Sequence, residues 1–305
     1  LRTLPSFAKL NLHLEVVRRR PDGYHDLRTV FQTIDLADEV RLDRRAAPGP
    51  ELVVRGADLP ADRRNLAWRA AEAFLARWGR PSREGVRIEL EKRIPAGAGL
   101  GGGSSNAATV LVGMARLWGF ERAPVGLAEV AAGLGADVPF FLVGGTAAGL
   151  GRGDRLIPLE DDRIEPVPAG RVLRLALPPF PVSTARVFDR AVARGEGEPF
   201  PALARALAGE TVKWEDLIGE NDLEEAAFGL RPELGALYTE LVRSRARRVR
   251  MSGSGSTLFA LFDEASAAEQ VAERLPPGTA WMEVSALGRA AWRRASGWVP
   301  FEGGD

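Results

Sequence analysis

The chain of 305 residues contains no cysteine, which excludes a disulfide framework, a thiolate metal centre and a cysteine nucleophile together. It has two histidines, His13 and His25, too few for a histidine-rich metal centre. Lysine is scarce as well: Lys9, Lys92 and Lys213 are the only three, in a chain that otherwise draws its positive charge from arginine. Neither sign of charge is in excess, since Lys+Arg and Asp+Glu both total 41. Nothing global therefore attracts a nucleic acid or an anionic membrane surface, and a charged ligand needs a local site. Long hydrophobic runs are missing too. Ala107–Ala115 and Val138–Val143 fall well short of the roughly 18 residues of a membrane span, and no secretory pattern of a charged start, an apolar stretch and a small-residue cleavage site opens the chain. The expectation is a cytoplasmic protein, monomer or weak homodimer, with neither nucleic acid nor membrane as partner.

What is present is ordinary globular composition, 45% hydrophobic and 27% charged, at a length suited to two domains of roughly 150 residues. Leu10, Leu12, Leu14 and Val16 alternate with Asn11, His13, Glu15 and Val17, the period of a half-buried strand. Pro21, Asp22 and Gly23 supply a turn. Val30–Leu42 reads as a second strand and Glu51–Val54 as part of a further hairpin, so the chain is expected to open on an antiparallel sheet. Asn65–Trp78 has helical spacing, closed by Gly79 and Pro81. Val86–Leu90 is a short strand ending at Lys92 and Arg93. Helices are expected over Ala107–Leu117 and Val125–Leu134. The glycine-rich stretch from Gly144 to Pro158, followed by charged and proline-punctuated residues to Pro168, reads as a domain boundary. Beyond it lie a strand at Val172–Leu177, helices at Thr184–Arg194 and Pro232–Arg243 with a loop at Gly195–Pro201 between them, a strand, glycine turn and strand over Val249–Phe262, and a helix at Ala265–Leu275. That mixture is α+β.

Pro95 to Ala108 reads PAGAGLGGGSSNAA. Backbone N–H groups can close around phosphate oxygens only where no Cβ blocks the approach, and Gly97, Gly99, Gly101, Gly102 and Gly103 remove those atoms. Ser104, Ser105 and Asn106 are good N-cap types, and the helix behind them would add the partial positive charge of its N-terminus. A flexible surface linker has similar composition, but a linker is not normally bounded by Ile94 on one side and an apolar helix on the other. Gly97, Gly99 and Gly102 also satisfy the dinucleotide pattern G-x-G-x-x-G, away from the start of any evident βαβ unit. A P-loop lacks its lysine here. The segment alone leaves nucleoside triphosphate and dinucleotide both open.

Pro95, Gly99, Leu100, Gly101, Gly102, Gly103, Ser104 and Ser105 match the central motif of the GHMP kinases, and the chain resembles that superfamily at both ends as well: Phe7-Ala8-Lys9-Leu10-Asn11-Leu12 near the start, Met251-Ser252-Gly253-Ser254-Gly255-Ser256 near the end. The segments DGYH at Asp22–His25, LGGGSSNAATVL at Leu100–Leu111 and GADVPFF at Gly135–Phe141 are similar to the branch whose acceptor carries a cytidine diphosphate. The resemblance implies a two-domain α+β GHMP fold, with an N-terminal domain like that of a small-subunit ribosomal protein over residues 1–158 and a ferredoxin-like C-terminal domain over 159–305. It implies ATP on Pro95, Ala96, Gly97, Ala98, Gly99, Leu100, Gly101, Gly102, Gly103, Ser104 and Ser105, with Mg²⁺ on the phosphates and Ser105 as its candidate protein ligand. The implied reaction passes the γ-phosphoryl group to the 2-hydroxyl of a methylerythritol unit, a step of isoprenoid synthesis.

Each residue singled out has a plainer reading. Asp137, in the GAD position, would on its own be a turn or N-cap aspartate; the resemblance makes it the base that takes the hydroxyl proton. Lys9 could be an exposed strand lysine. Its rarity in an arginine-rich chain suggests a wanted ammonium, and the resemblance pairs it with Asp137. Asn11, on the same strand face, becomes a substrate contact. Tyr24 and His25, otherwise a packing pair, become the residues that stack on cytosine and bond its edge, with Phe188 on the ring's other face. Ser252, Gly253, Ser254 and Gly255 form either a tight turn or a phosphate-proximal one. His13 is expected to be an exposed strand residue, and Trp292, Arg293, Arg294 and Trp298 a solvated terminal helix or strand. A homoserine or mevalonate type of GHMP kinase would share the loop but lack the Tyr24-His25 pair; a dinucleotide-binding protein or an RNA-binding module would need NAD(P) affinity or a basic face.

Overall fold

The computed structural model of the chain describes residues 3–79 and 83–297. Two long strands, β1 (Leu4–Arg19) and β2 (His25–Arg45), pair antiparallel around the Pro21–Gly23 turn. Then come β3 (Gly49–Arg55), α1 (Leu66–Trp78), β4 (Gly85–Glu91), α2 (Gly102–Leu117), α3 (Leu127–Leu134), α4 (Phe140–Val143), β5 (Thr146–Gly151) and β6 (Arg155–Leu159). β1 runs along one edge of β2, and the other edge is shared by β5 beside Leu27–Gln32 and β4 beside Glu39–Arg45. β3 pairs with β4 in parallel, joined through α1. The expected hairpin at Glu51–Val54 is thus a βαβ crossover, because a parallel neighbour needs a helix-length connection.

The second half adds β7 (Ile164–Glu165), β8 (Val172–Leu177), α5 (Thr184–Arg190), α6 (Pro201–Leu207), β9 (Val212–Lys213), α7 (Glu224–Leu230), α8 (Pro232–Arg243), β10 (Arg248–Met251), β11 (Leu258–Phe262), α9 (Ala265–Ala272), β12 (Ala280–Val284) and α10 (Arg289–Ser296). β10, β11, β8 and β12 form an antiparallel sheet in that order. Leu10, Leu12, Val30 and Ile34 of the first sheet share a buried cluster with Leu173, Leu175, Phe259 and Leu261 of the second, so the two sheets meet across one apolar layer. β1 is consequently covered on both faces. Phe7 through Val17 are all buried, and His13, expected to be exposed, is 1% exposed with its ring stacked on Phe200 at 4.5 Å between centroids.

Two further expectations change. The glycine-rich stretch at Gly144–Pro158 is the β5–β6 hairpin inside the first sheet, where Gly144 and Gly145 take the positive φ that the chain needs after α4. The C-terminal segment is a helix with Arg293 and Arg294 exposed, as expected, but it is not solvated throughout. Trp292 is buried in the core packed on the first sheet, over Gly144, where a Cβ would lie 2.1 Å from its ring, and buried Arg289 donates to the carbonyls of Thr146 and Leu159. Pro81 and Trp298 lie outside the described residues.

Candidate active site

The glycine segment spans the end of β4 and the start of α2. Gly97, Gly99 and Gly101 have φ of +65°, +77° and +70°, a region that L side chains avoid. At Gly99 a Cβ would also stand 2.1 Å from the Ser252 carbonyl oxygen, and at Gly101 2.8 Å from the Phe141 ring. The loop is fixed by three donors: Thr257 N to Ala98 O at 3.2 Å, Ser252 Oγ to Gly99 O at 2.9 Å, and Lys9 N to Leu100 O at 3.0 Å. Both family-like end segments therefore grip the central loop.

The helix begins earlier than its composition suggests. Gly101 is the N-cap and no side chain caps it. Ser104, Ser105 and Asn106 accordingly lie inside the first turns of α2 instead of preceding it. The N–H groups of Gly102, Gly103 and Ser104 have no acceptor within the helix, which is the arrangement that receives an anion. Ser104 lines the cleft. Ser105 does not: it is 1% exposed and bonded to Ser6 Oγ at 2.8 Å, so the structure does not bring this candidate magnesium ligand to the cleft.

A cleft of about 950 Å³ runs in front of the loop, lined by Lys9, Asn11, Tyr24, His25, Asp137, Phe188, Gly253 and Ser254 as well as Pro95–Ser104. Lys9 is 3% exposed, and its ammonium donates to Asn11 Oδ1, lies 3.5 Å from Asp137 Oδ2 and stands over the Phe31 ring at 5.5 Å. One of its three protons remains for a ligand. Ser252 and Gly255 are not on the cleft surface. Ser252 acts from behind, accepting Asn11 N–H at 3.2 Å, and a Cβ at Gly253 would meet Asn11 Oδ1, Gly99 O and Lys9 Nζ within 3.2–3.4 Å.

At the far end of the cleft the Pro21–Gly23 turn presents Tyr24, half exposed, with the Arg152 guanidinium 5.1 Å from its ring. His25 is buried, and Phe188 of α5 packs against it at 5.3 Å between centroids. Burial, then the neighbouring Arg19, hold His25 below the usual imidazole range, with Asp189 opposing. It is neutral near pH 7 and offers one donor and one acceptor.

Several cleft residues escaped the sequence reading. Lys92 lines the cleft and donates to Asp38 Oδ2 and, at 3.1 Å, to Asn106 Oδ1. Asp38 Oδ1 accepts the N–H groups of Arg93 and Ile94 at 2.7 and 2.8 Å. The rarity of lysine that drew attention to Lys9 applies equally to Lys92 and could have found it. Asn65, which caps α1 through Ala67 N, also lines the cleft with Leu59, Pro60 and Leu66; its capping role gave no sign of this. Among the described residues no group of three or more His, Asp or Glu is placed to hold a metal ion, and no helix is long and apolar enough to cross a membrane.

Comparison with known proteins bears on the family and the fold. Residues 65–145 match the family model for the N-terminal domain of GHMP kinases and residues 200–277 the model for their C-terminal domain. The chain is 42% identical over 279 residues to 4-diphosphocytidyl-2-C-methyl-D-erythritol kinase of Geobacter sulfurreducens, covering 90% of this chain and 94% of that one. Its identity to the same-named kinase of Pelotomaculum thermopropionicum is also 42%, over 88% and 91%. A crystal structure of 4-(cytidine 5'-diphospho)-2C-methyl-D-erythritol kinase superposes with a TM-score of 0.73 at 40% identity, covering 94% of this chain and all of that one. A homoserine kinase from Cytophaga hutchinsonii, 20% identical with a TM-score of 0.65, shares the fold.

Proposed function

Because this chain belongs to the GHMP kinase family, we propose that it transfers the γ-phosphoryl group of ATP to the 2-hydroxyl of 4-diphosphocytidyl-2-C-methyl-D-erythritol. The observation that carries this reading is the content of one cleft: an anion-receiving helix N-terminus, the Lys9–Asp137 pair and an aromatic and imidazole end at Tyr24, His25 and Phe188. We assign the nucleotide side to residues 1–158 and the acceptor side to 159–305, with β1 and the Tyr24 turn of the first half facing Phe188 of the second.

The acceptor oxygen attacks the γ-phosphorus while its proton passes to Asp137, the bond from that phosphorus to the β,γ-bridging oxygen breaks, and ADP leaves with the electron pair. Lys9 holds the Asp137 carboxylate beside the acceptor and keeps a proton for an oxygen of the transferring group. The free N–H groups of Gly102, Gly103 and Ser104 bind phosphate oxygens, and Tyr24 and His25 take the cytosine by its face and edge. The donor set fits Mg²⁺ held mainly by phosphates and water, since that ion needs only one or two protein ligands and the cleft offers the Ser104 hydroxyl and the Asp137 carboxylate. Bound there, it would neutralise phosphate charge.

The test is phosphotransfer from Mg·ATP to the cytidylyl acceptor, to homoserine and to mevalonate, by wild type and Asp137→Asn. Turnover of the cytidylyl compound alone is expected, with kcat lowered about 10²–10⁴-fold by the substitution. Turnover of homoserine or mevalonate instead would refute the acceptor, and an undiminished kcat in Asp137→Asn would refute the base.

A further inference from the structure

We infer that Thr29, a β2 residue outside the Lys9–Asp137 pair, is a positioning residue that fixes which way round the Asn11 amide faces and thereby holds the Lys9 ammonium at Asp137. The inference rests on the reading of Lys9 and Asp137 as the phosphoryl-transfer pair and extends it to a group that touches neither.

The hydrogen bonds around Asn11 all run in one direction. β1 slips in register against β2 between Asn11 and His13. Lys9 and Asn11 keep the cleft face, and His13 turns away from the cleft, lining a separate cavity beside Phe200 and Gly219. Such irregularities re-aim groups next to active sites. Here the His13 carbonyl accepts the Thr29 hydroxyl at 2.6 Å. A carbonyl has no proton to give, so the Thr29 proton is committed and its oxygen can only accept. It accepts Asn11 Nδ2 at 2.7 Å. With its NH2 pointing to Thr29, Asn11 must turn Oδ1 the other way, and there it meets Lys9 Nζ, which can only donate. The chain has one polarity from end to end, fixed by an obligate acceptor at His13 and an obligate donor at Lys9. Thr29 is fully buried and Asn11 is 3% exposed where both border the cleft, so each depends mainly on its protein partners.

Without the Thr29 oxygen the Asn11 NH2 is left without an acceptor, and the Lys9 bond alone holds the amide in its present orientation. An amide that moved to satisfy its NH2 elsewhere would withdraw Oδ1 from the ammonium and loosen its hold 3.5 Å from Asp137. The backbone donors of the glycine loop, and with them most of the ground-state hold on ATP, would be untouched.

Steady-state kinetics on wild type, Thr29→Val, Thr29→Ser, Asn11→Ala and the Asn11→Ala/Thr29→Val double variant test this. Thr29→Val is expected to lower kcat about 10²-fold, with KM for ATP changed less than about twofold. Thr29→Ser, which restores the hydroxyl, should return most of the loss. In the Asn11→Ala background Thr29→Val should cost nothing more, because its whole effect passes through Asn11. Full kcat in Thr29→Val, or a further multiplicative loss in the double variant, overturns the inference. A readout independent of turnover uses wild type alone. The chain has four asparagines, so selective labelling gives a small set of side-chain amides, and those of Asn11 should show nuclear Overhauser contacts to Thr29; contacts to the Lys9 methylene next to nitrogen instead refute the orientation. If wild type fails to phosphorylate the cytidylyl acceptor, the assigned reaction falls while the amide orientation is still decided by this spectrum.

Discussion

Replacing Glu224 by glutamine should make the protein less sensitive to pH, and the size of the effect follows from where the carboxyl sits. Glu224 opens α7 and accepts the backbone N–H of Met251 at 2.9 Å, immediately before the Ser252–Ser256 turn. Burial pushes the carboxyl from 4.5 up to about 7, opposed by the Met251 hydrogen bond and Arg250 and assisted by Glu220 and Asp222. A pKa raised in the folded state means that the native protein binds this proton more tightly than the unfolded chain. The stabilisation is complete below pH 4.5, is lost as the pH rises toward 7, and changes no further above it. A rise of that size corresponds to roughly 3–4 kcal/mol. Glutamine keeps an oxygen for Met251 N–H and does not titrate. Urea denaturation followed by tryptophan fluorescence at pH 5, 6, 7 and 8 isolates the group, because other titrations are common to both proteins and cancel in the difference. Glu224→Gln should gain on wild type by roughly 3 kcal/mol between pH 4.5 and 8, most of it before pH 7. A difference that stays constant across the series would show that the carboxyl is not held above its ordinary range.

Two further substitutions probe the cleft. Gly99→Ala and Gly103→Ala should shift stability in opposite directions: the first places a Cβ 2.1 Å from Ser252 O at positive φ and should cost at least about 2 kcal/mol, whereas the second meets only Leu66 at 3.7 Å inside a helix and should gain about 0.5–1 kcal/mol. Thermal melts of the two variants that moved together would refute the steric account. For His25, whose pKa lies below 6.5, KM for the cytidylyl acceptor should rise as the pH falls through that lowered value while KM for ATP stays level, since the imidazolium loses its acceptor nitrogen; His25→Gln should abolish the rise, and a KM unchanged from pH 7 down to pH 5 would exclude the imidazole as a hydrogen-bond acceptor for the ligand.

The parts of this architecture that were legible in the sequence are those with local causes. Glycines at positive φ, a turn at Pro21–Gly23 and the 3.6-residue period of α8, which runs from Pro232 to Arg243 as its pattern indicates, all act over a few residues. What failed depends on distant partners. His13 alternates with leucines as an exposed residue would, but the apolar layer between the sheets and Phe200 cover it. Trp292 and Arg289 have no local signature of burial; their site is made by Gly144, Gly145 and the β5–β6 hairpin, more than a hundred residues earlier. Ser105 was placed correctly in the motif and wrongly in space, because the helix starts at Gly102 and the hundred-degree step from Ser104 to Ser105 turns one hydroxyl to the cleft and the next to Ser6.

The same long-range contacts explain how so glycine-rich a segment can be held rigid, as the phosphate cradle proposed for it requires. A loop of this composition loses more conformational entropy on ordering than any other, so its geometry must be imposed from outside. Asp38 fixes the strand end by accepting the N–H groups of Arg93 and Ile94, and fixes the helix end by accepting Asn106 Nδ2 at 2.8 Å, with Lys92 bridging between them. The middle is held by the carbonyl contacts of Ala98, Gly99 and Leu100 to Thr257, Ser252 and Lys9. Lys92 and Asp38, 3% and 0% exposed, are buried charges whose mutual attraction does little more than offset their desolvation; what they contribute is position. Held at both ends and in the middle, the loop has its donors already oriented for the phosphate-binding role proposed above, and donors that are already oriented are the ones that stabilise charge developing in a transition state. Gly99 is where these demands meet: the central anchor brings the Ser252 carbonyl so close that no side chain fits, and the positive φ that turns the loop past it is one that glycine alone adopts without strain.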